Sequence, residues 1–159
     1  NVATLLLDHF EPSTRRDLHR QFMNDEISLA AYQEVSFSRL ASTRGEQAAF
    51  ARERAGLRPG FAELAAYCRE RGIELAIVSH GLDFYVRAIL TASALRDTPV
   101  HAVTAIGQPG RLTFQYPHAD DSCPDWGWGN CKIISKSGFK SFQIRFRRPR
   151  LDWYPFNKT

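Results

Sequence analysis

The segment Ser79-His80-Gly81 combines the residue types of an anion-binding loop. It follows the apolar run Ile73–Val78, which ends abruptly in these small and polar residues. Such a run is typical of a buried parallel strand that delivers a functional loop at its C-terminal end. A hydroxyl, adjacent backbone N–H groups and a glycine that permits close approach, with a helix starting next to them, form an anion site.

The elements around this segment must hold it in place. Before it, Phe61, Leu64, Ala65 and Cys68 recur at the spacing of an amphipathic helix, which Arg71-Gly72 ends. Cys68 is interpreted as a small core residue on that stripe. The sequence predicts helices over 61–71 and 82–95, a second parallel strand over 100–106, a turn over 108–110 and an antiparallel strand over 111–116.

Residues 1–56 are predicted to form an all-helical module. Ser13 and Ser28 are candidate N-caps for its second and third helices. The charged positions of these helices are interpreted as a solvated outer face. The predicted helices cover residues 1–10, 14–24, 29–40 and 45–55. Because the chain starts at Asn1 in the middle of a helical pattern, we expect an upstream segment.

Composition narrows the class of protein. The chain has 159 residues, of which 43% are hydrophobic, as in an ordinary globular domain. No apolar run reaches the length of a transmembrane helix, and no signal peptide is evident. Three cysteines, an odd number, favour a reducing cytoplasm over a disulfide scaffold. We therefore predict a cytoplasmic protein that does not contact a membrane.

The net charge of +4 comes from the end of the chain. Residues 137–159 hold six of the 21 Lys and Arg residues and one of the 17 acidic residues. Phe142, Phe146 and Trp153 stand among these basic residues, a mixture that can bind nucleic acid through phosphate contacts and stacking. A divergent, non-homologous end explains the same tail more simply. Nucleic acid is therefore not the expected partner of the chain. Any binding of nucleic acid is predicted to involve only this tail.

Two separated motifs resemble those of the haloacid dehalogenase (HAD) superfamily. The first block runs from Leu57-Arg58-Pro59-Gly60-Phe61 to Ile77-Val78-Ser79-His80-Gly81, and the second is Gly129-Asn130-Cys131-Lys132. The branch that the chain resembles is the phosphoserine-phosphatase-like one, including the methionine-salvage phosphatase type. The resemblance covers roughly residues 1–136.

The resemblance implies an α/β fold. It would be a partial Rossmann-like core with an N-terminal helical cap. Residues 1–56 would form the cap, residues 57–136 part of the core, and residues 137–159 a divergent basic and aromatic tail. In the family, an aspartate attacks a phosphate monoester, a second aspartate acts as general acid and base, and later acidic residues hold Mg²⁺.

The resemblance also assigns roles to residues of this chain. Ser79, with His80 and Gly81, matches the segment that binds the phosphoryl oxygens. Lys132 matches the catalytic lysine, which binds phosphate and neutralises the charge that develops in phosphoryl transfer. Ser79 and Lys132 are therefore predicted to converge on one cleft, with a small phosphorylated metabolite as the ligand.

The chain departs from the family at two motifs. The nucleophile motif D-x-D-G-T is absent: Asp8 is followed by His9 and Phe10. The late acidic motif is absent too, since Asp120 and Asp121 precede Lys132 instead of following it. Mg²⁺ is thus expected for the family, but its ligands are not present in this chain. We predict a fragment or degenerate phosphomonoesterase that is inactive as given, or alternatively a non-catalytic module that binds a phosphate ligand or nucleic acid.

A zinc site is a weaker alternative for the region before Lys132. His118, Cys123 and Cys131 are three candidate ligands, but their spacing fits no standard zinc pattern. No metal ligand is therefore predicted, and no feature of the sequence indicates an oligomeric state.

Overall fold

The structure, a computed structural model, describes residues 1–11, 15–93 and 95–119. Helices and a small mixed sheet occupy this part of the chain, which confirms the predicted α/β class. In chain order the elements are α1 Val2–Phe10, α2 Arg15–Met23, α3 Leu29–Ser38, α4 Arg44–Arg54, α5 Phe61–Glu70, β1 Ile77–Leu82, α6 Asp83–Ala92, β2 Val100–Gln108 and β3 Arg111–Gln115.

Side-chain caps define where three of the first four helices begin, and Asn1 caps α1 by accepting a hydrogen bond from the Ala3 N–H at 3.0 Å. The predicted cap Ser28 is confirmed, because its Oγ accepts a hydrogen bond from the Ala31 N–H at 3.1 Å. Thr43 and Glu46 form a capping box at the start of α4, which the sequence analysis missed. The other predicted cap, Ser13, lies outside the described residues.

The three strands form a sheet in the order β1-β2-β3. β1 and β2 are parallel, and β2 and β3 form an antiparallel hairpin. Pro109 and Gly110 make the hairpin turn, where Gly110 has a φ of +73° that suits glycine. The predicted parallel strand, turn and antiparallel strand are confirmed.

The predicted bounds of the first strand were wrong. Ile73–Ala76 lie outside the strand, and Ile73 belongs to the end of α5: Gly72 has a φ of +63°, and the Ile73 N–H bonds the Cys68 carbonyl at 2.8 Å. That geometry is a Schellman-type helix end. Nor is the strand fully buried. β1 lies at an edge of the described sheet, and Val78 is 38% exposed.

Two hydrophobic cores lie within the described part of the chain. The larger core joins α1, α3 and α4 to α6 and the β2–β3 hairpin. Its side chains with relative exposure of at most 1% are Leu6, Leu7, Phe37, Leu40, Ala51, Leu82, Val103 and Ala105. The smaller core consists of Ala65, Leu90 and Leu95. Cys68 is a free, buried thiol, as predicted, whereas Leu64 from the same predicted stripe is 38% exposed.

Hydrogen bonds also link the first four helices to the sheet. Arg44 Nη1 donates to the Ala105 carbonyl at 2.6 Å, and the Gly110 N–H donates to the Leu40 carbonyl at 3.2 Å. The larger core likewise contains residues from both sides of position 56. The division into a cap over 1–56 and a core from 57 stays a prediction. None of the described helices is long and apolar enough to cross a membrane.

Candidate functional site

The Ser79–Gly81 segment lies inside β1, where pairing with β2 is interrupted. Val78 pairs with His101, and the next pair joins Leu82 to Val103. β1 therefore advances four residues while β2 advances two. The extra residues form an irregular bulge, a feature that re-aims side chains next to functional sites. The segment predicted as a loop after the strand is thus an interruption within it.

The Ser79 hydroxyl closes a short turn over this segment. Its Oγ accepts a hydrogen bond from the Gly81 N–H at 3.0 Å. A serine hydroxyl can act as both acceptor and donor of hydrogen bonds. Helix α6 starts at Asp83, and its N-cap residue Leu82 supplies no side-chain hydrogen bond. A helix N-terminus follows the polar segment as the sequence predicted, but the last strand residue, Leu82, lies between them.

Asp83 fastens the start of α6 to the sheet. Its Oδ1 accepts a hydrogen bond from the Ala105 N–H at 3.3 Å. An aspartate in the first turn also interacts favourably with the positive end of the helix dipole. The same carboxylate thus holds the helix N-terminus beside β2.

Tyr85 explains why residue 81 is a glycine. A Cβ built on Gly81 would lie 2.2 Å from the Tyr85 Oη and 2.9 Å from its Cζ. The Tyr85 side chain is buried, and this burial raises the pKa of its hydroxyl. Any larger residue at position 81 must therefore displace the buried tyrosine or the segment itself.

Gln33 connects helix α3 to the same segment. Its Nε2 donates a hydrogen bond to the His80 carbonyl at 3.0 Å. The Gln33 side chain is buried, and its Oε1 has no hydrogen-bond partner among the described residues. Sequence reasoning missed Gln33. The available signal was a glutamine next to Tyr32 in a mainly apolar stretch of helix.

His80 contributes two different groups. Its carbonyl oxygen accepts the bond from Gln33 and so helps to fix the backbone. His80 as a whole residue is exposed to solvent. The atoms around its imidazole nevertheless desolvate the ring, which lowers its pKa below the ordinary histidine value. The imidazole is therefore mainly neutral at pH 7, when it can donate or accept one hydrogen bond but adds little positive charge.

Lys132 lies outside the described residues, so its predicted convergence with Ser79 stays a prediction. Asp120, Asp121, Cys123 and Cys131 lie outside them as well. Within the described residues no group of three His, Cys, Asp or Glu side chains could hold a metal ion. Nothing in this part of the chain fits the magnesium site that the family resemblance implies.

Comparison with known proteins decides the family. A model of the haloacid dehalogenase-like hydrolases matches residues 4–127, which is most of the chain. The chain belongs to the haloacid dehalogenase-like hydrolase family. The predicted resemblance to the HAD superfamily is therefore confirmed.

Curated HAD relatives narrow the branch. A 2-hydroxy-3-keto-5-methylthiopentenyl-1-phosphate phosphatase from Brevibacillus brevis is 37% identical over 125 residues, covering 77% of this chain. Proteins of the same name from Exiguobacterium sibiricum and Geobacillus kaustophilus are 29% and 33% identical, covering 83% and 80% of this chain. The predicted resemblance to HAD phosphatases of the methionine-salvage type is confirmed.

This HAD chain matches only part of each relative. The aligned regions cover 56% of the Brevibacillus protein, 60% of the Exiguobacterium protein and 58% of the Geobacillus protein. The chain thus spans somewhat more than half the length of these relatives. Their names describe complete proteins, so the activity they state belongs to those proteins.

Proposed function

We propose that this chain is a fragment or degenerate member of a Mg²⁺-dependent HAD phosphomonoesterase that acts on a small phosphorylated metabolite. The observation that carries the proposal is the interrupted strand at Ser79–Gly81, with its serine hydroxyl and following helix N-terminus, in a chain of this family. The names of the relatives point to 2-hydroxy-3-keto-5-methylthiopentenyl-1-phosphate as the substrate of the complete protein.

Each proposed binding residue has a separate task. The Ser79 hydroxyl donates a hydrogen bond to a phosphoryl oxygen, and Gly81 lets the backbone N–H groups come close to it. His80 lines the same segment as a neutral hydrogen-bonding group. Lys132 adds the positive charge that the described segment lacks. These interactions position and stabilise a phosphate, which is the main protein contribution in phosphoryl transfer.

Magnesium enters this proposal only for the complete protein. In such a site Mg²⁺ would neutralise phosphate charge and orient its oxygens. The described residues offer no suitable ligand group, and the nucleophile motif is absent from the sequence. The chain as given is therefore expected to bind phosphate without hydrolysing a phosphomonoester.

The test is a titration of the ¹⁵N-labelled chain with inorganic phosphate, followed by NMR. Amide signals of residues 79–83 and of Lys132 should shift in a saturable way. Ser79→Ala should weaken binding by at least about tenfold, since a hydrogen bond to a charged group contributes roughly 1.5–3 kcal/mol. Ser93→Ala is the matched control, because the Ser93 Oγ bonds the Ile89 carbonyl at the other end of α6.

Two outcomes would contradict this assignment. Phosphate shifts confined to other parts of the chain would remove Ser79 from the site. Absence of any saturable shift would end the proposal for this chain. Hydrolysis of p-nitrophenyl phosphate by the purified chain with Mg²⁺ would show instead that the expectation of inactivity is wrong.

A non-catalytic binding module is the second candidate. The absence of the D-x-D-G-T motif favours it, as does the concentration of basic and aromatic residues in 137–159. If the tail binds RNA, its removal should abolish binding that weakens as salt rises. RNA binding that persists without residues 137–159 would exclude the tail as the nucleic-acid site.

A further inference from the structure

Two buried oxygen atoms on helix α3 have no hydrogen-bond partner among the described residues. They are Gln33 Oε1 and Ser36 Oγ, and each residue is only 5% exposed. Side chains three positions apart on a helix are neighbours, with their Cβ atoms roughly 5–6 Å apart. Burying a polar atom without a partner costs free energy, so these two atoms require an explanation. We call them the Gln33–Ser36 pair.

The Gln33–Ser36 pair lies beside the Ser79–Gly81 segment. The Gln33 Nε2 donates to the His80 carbonyl at 3.0 Å, and Oε1 belongs to the same planar amide group. The backbone of the segment thus uses the amide nitrogen, and the amide oxygen is left to accept a further hydrogen bond. Because His80 directly follows Ser79, a molecule whose phosphate is held at Ser79 has α3 as its neighbour.

We propose that the Gln33–Ser36 pair binds a hydroxyl group on the carbon chain of a phosphate monoester whose phosphate is held at Ser79. This inference rests on the proposed function and adds the part of the substrate that a phosphate site does not recognise. Gln33 Oε1 can only accept a hydrogen bond, and phosphate oxygens are acceptors too. The group that satisfies Oε1 must therefore be a donor. The Ser36 hydroxyl, which donates as well as accepts, can bond the same hydroxyl or a neighbouring oxygen.

A hydroxyl fits this position better than an ammonium group. Tyr32 and Phe37 are buried on the same helix, and neither member of the Gln33–Ser36 pair carries a charge. A cation there would lose its hydration without gaining a counter-ion. The carboxylate of α3, Glu34, already accepts a hydrogen bond from the Tyr116 hydroxyl. The pair therefore selects hydroxylated phosphate monoesters over amino or purely alkyl ones.

Three phosphate ligands test the two positions separately. The full chain, ¹⁵N-labelled, is titrated with inorganic phosphate, with n-propyl phosphate and with glycerol 1-phosphate, which differs from propyl phosphate only by its two hydroxyl groups. Glycerol 1-phosphate should bind at least about fivefold more tightly than propyl phosphate, because propyl phosphate leaves the buried oxygens without a partner. Glycerol 1-phosphate should also shift the Gln33 side-chain NH₂ signals, which propyl phosphate should leave in place.

Substitutions of the pair should remove this preference. Ser36→Ala should abolish most of it and leave the affinity for inorganic phosphate unchanged, since Ser36 Oγ bonds nothing in the described part of the chain. Gln33→Leu should abolish it too. The ratio of the two ester affinities is the measurement, because a purely structural effect through His80 would change both affinities together. Gln47→Leu is the matched control: it removes a buried, equally unpartnered Oε1 from α4 and should keep the parent's ratio.

The outcomes distinguish this inference from the proposed function. No saturable binding of inorganic phosphate would overturn the proposed function and this inference with it. Phosphate binding with equal affinities for propyl phosphate and glycerol 1-phosphate would overturn the inference alone and assign the two oxygens to buried water. A preference that survives both Ser36→Ala and Gln33→Leu would place the hydroxyl on other residues and overturn it as well. Tighter binding of phosphoethanolamine than of glycerol 1-phosphate would show that the pair takes an ammonium group instead.

Discussion

The larger and smaller cores contact strand β1 at opposite ends. Leu82, at the end of β1, belongs to the larger core and is fully buried. Ile77, at its start, is a partly buried neighbour of the smaller core. The Ser79–Gly81 segment lies between them. The larger core contains several completely buried side chains, whereas the three residues of the smaller one are each 5–8% exposed.

The difference indicates which part of the molecule shapes the candidate site. Tyr85, which packs against Gly81, belongs to the larger core. Gln33, which bonds the His80 carbonyl, comes from α3, a helix of that same core. The smaller core contacts β1 only at its start, through Ile77. Changes in the larger core should therefore alter the Ser79–Gly81 segment, and changes in the smaller core should not.

The largest expected effect comes from the same truncation made in each core. Leu6→Ala should lower the free energy of unfolding by about 4–5 kcal/mol, because Leu6 is fully buried in the larger core. Leu90→Ala in the smaller core should cost about 2–3 kcal/mol, since a slightly exposed site can relax or admit water. Urea unfolding of both variants measures the difference. Equal losses would show that the two cores do not differ in strength.

Substituting Gly81 tests the contact between the larger core and the candidate site. Gly81→Ala should destabilise the chain by about 1–3 kcal/mol, because the new methyl group would overlap the buried Tyr85. Tyr85→Phe should recover part of this loss by removing the Oη, the atom that the methyl group meets first. Thermal unfolding of the single and double variants gives the coupling energy.

Gly56→Ala is the matched control for this experiment. Nothing lies within 4 Å of a Cβ at Gly56, and its φ is not in the left-handed region. Its stability should change by less than about 1 kcal/mol, with a small gain from the less flexible unfolded chain. A Gly81→Ala variant as stable as Gly56→Ala would mean that Tyr85 does not confine the segment.

Gln33 gives a smaller and more local effect. Gln33→Leu should lower stability by about 1–2 kcal/mol, because the His80 carbonyl loses its side-chain partner. It should also shift the amide signals of residues 79–82. Gln47→Leu is the control: Gln47 is buried as well, but its Nε2 donates to the Ser42 carbonyl, before the start of α4. If both variants perturbed residues 79–82 alike, the effect would not pass through the Gln33–His80 bond.

The capping box of α4 should affect neither core strongly. Thr43→Ala should cost about 1 kcal/mol, because the Thr43 Oγ1 accepts the Glu46 N–H at 3.2 Å. Hydrogen bonds from the Thr43 backbone N–H and side chain lower the pKa of Glu46. The ionised Glu46 carboxylate therefore stabilises the folded chain above its ordinary pKa of 4.5. This stabilisation is lost as the pH falls through the lowered pKa of Glu46 in the folded chain.

Glu46→Gln tests that pH dependence. The parent chain should lose stability below about pH 4.5 more steeply than the Gln variant, as measured by unfolding at a series of pH values. The amide signals of residues 79–82 should stay unchanged in both capping variants. A parallel acid response of the two proteins would show that the Glu46 carboxylate does not stabilise the helix start.

Local patterns predicted most of the elements. Helical periodicity, the Ser28 cap and the turn at Pro109-Gly110 each depend on a few neighbouring residues, and each is confirmed. The bounds of β1 failed because they depend on distant residues. Pairing with Val100 starts the strand at Ile77, and the interruption opposite β2 cannot be read from the apolar run itself.

The candidate site was predictable to a similar extent. Ser79 and Gly81 stood out because a hydroxyl and a glycine end an apolar run, a signal contained within a few residues. Gln33 and Tyr85 did not, because their roles arise only when α3 and α6 pack beside β1. The hydrogen bond between the His101 and His118 rings, at 3.3 Å, was missed for the same reason, because the two residues are 17 positions apart and meet only through the β2–β3 hairpin.

The bond between Gln33 and His80 has a consequence for the order in which the chain folds. It spans 47 residues, and the bonds from Arg44 to Ala105 and from Tyr116 to Glu34 span 61 and 82. Contacts of such sequence separation form late, because closing a long loop costs entropy before the contact rewards it. During synthesis on a ribosome, helices α1–α4 would emerge first and would lack their contacts to β2 and β3 until those strands had been made. The segment that carries Ser79 would acquire its final shape only after the β2–β3 hairpin had been synthesised and had packed against these helices.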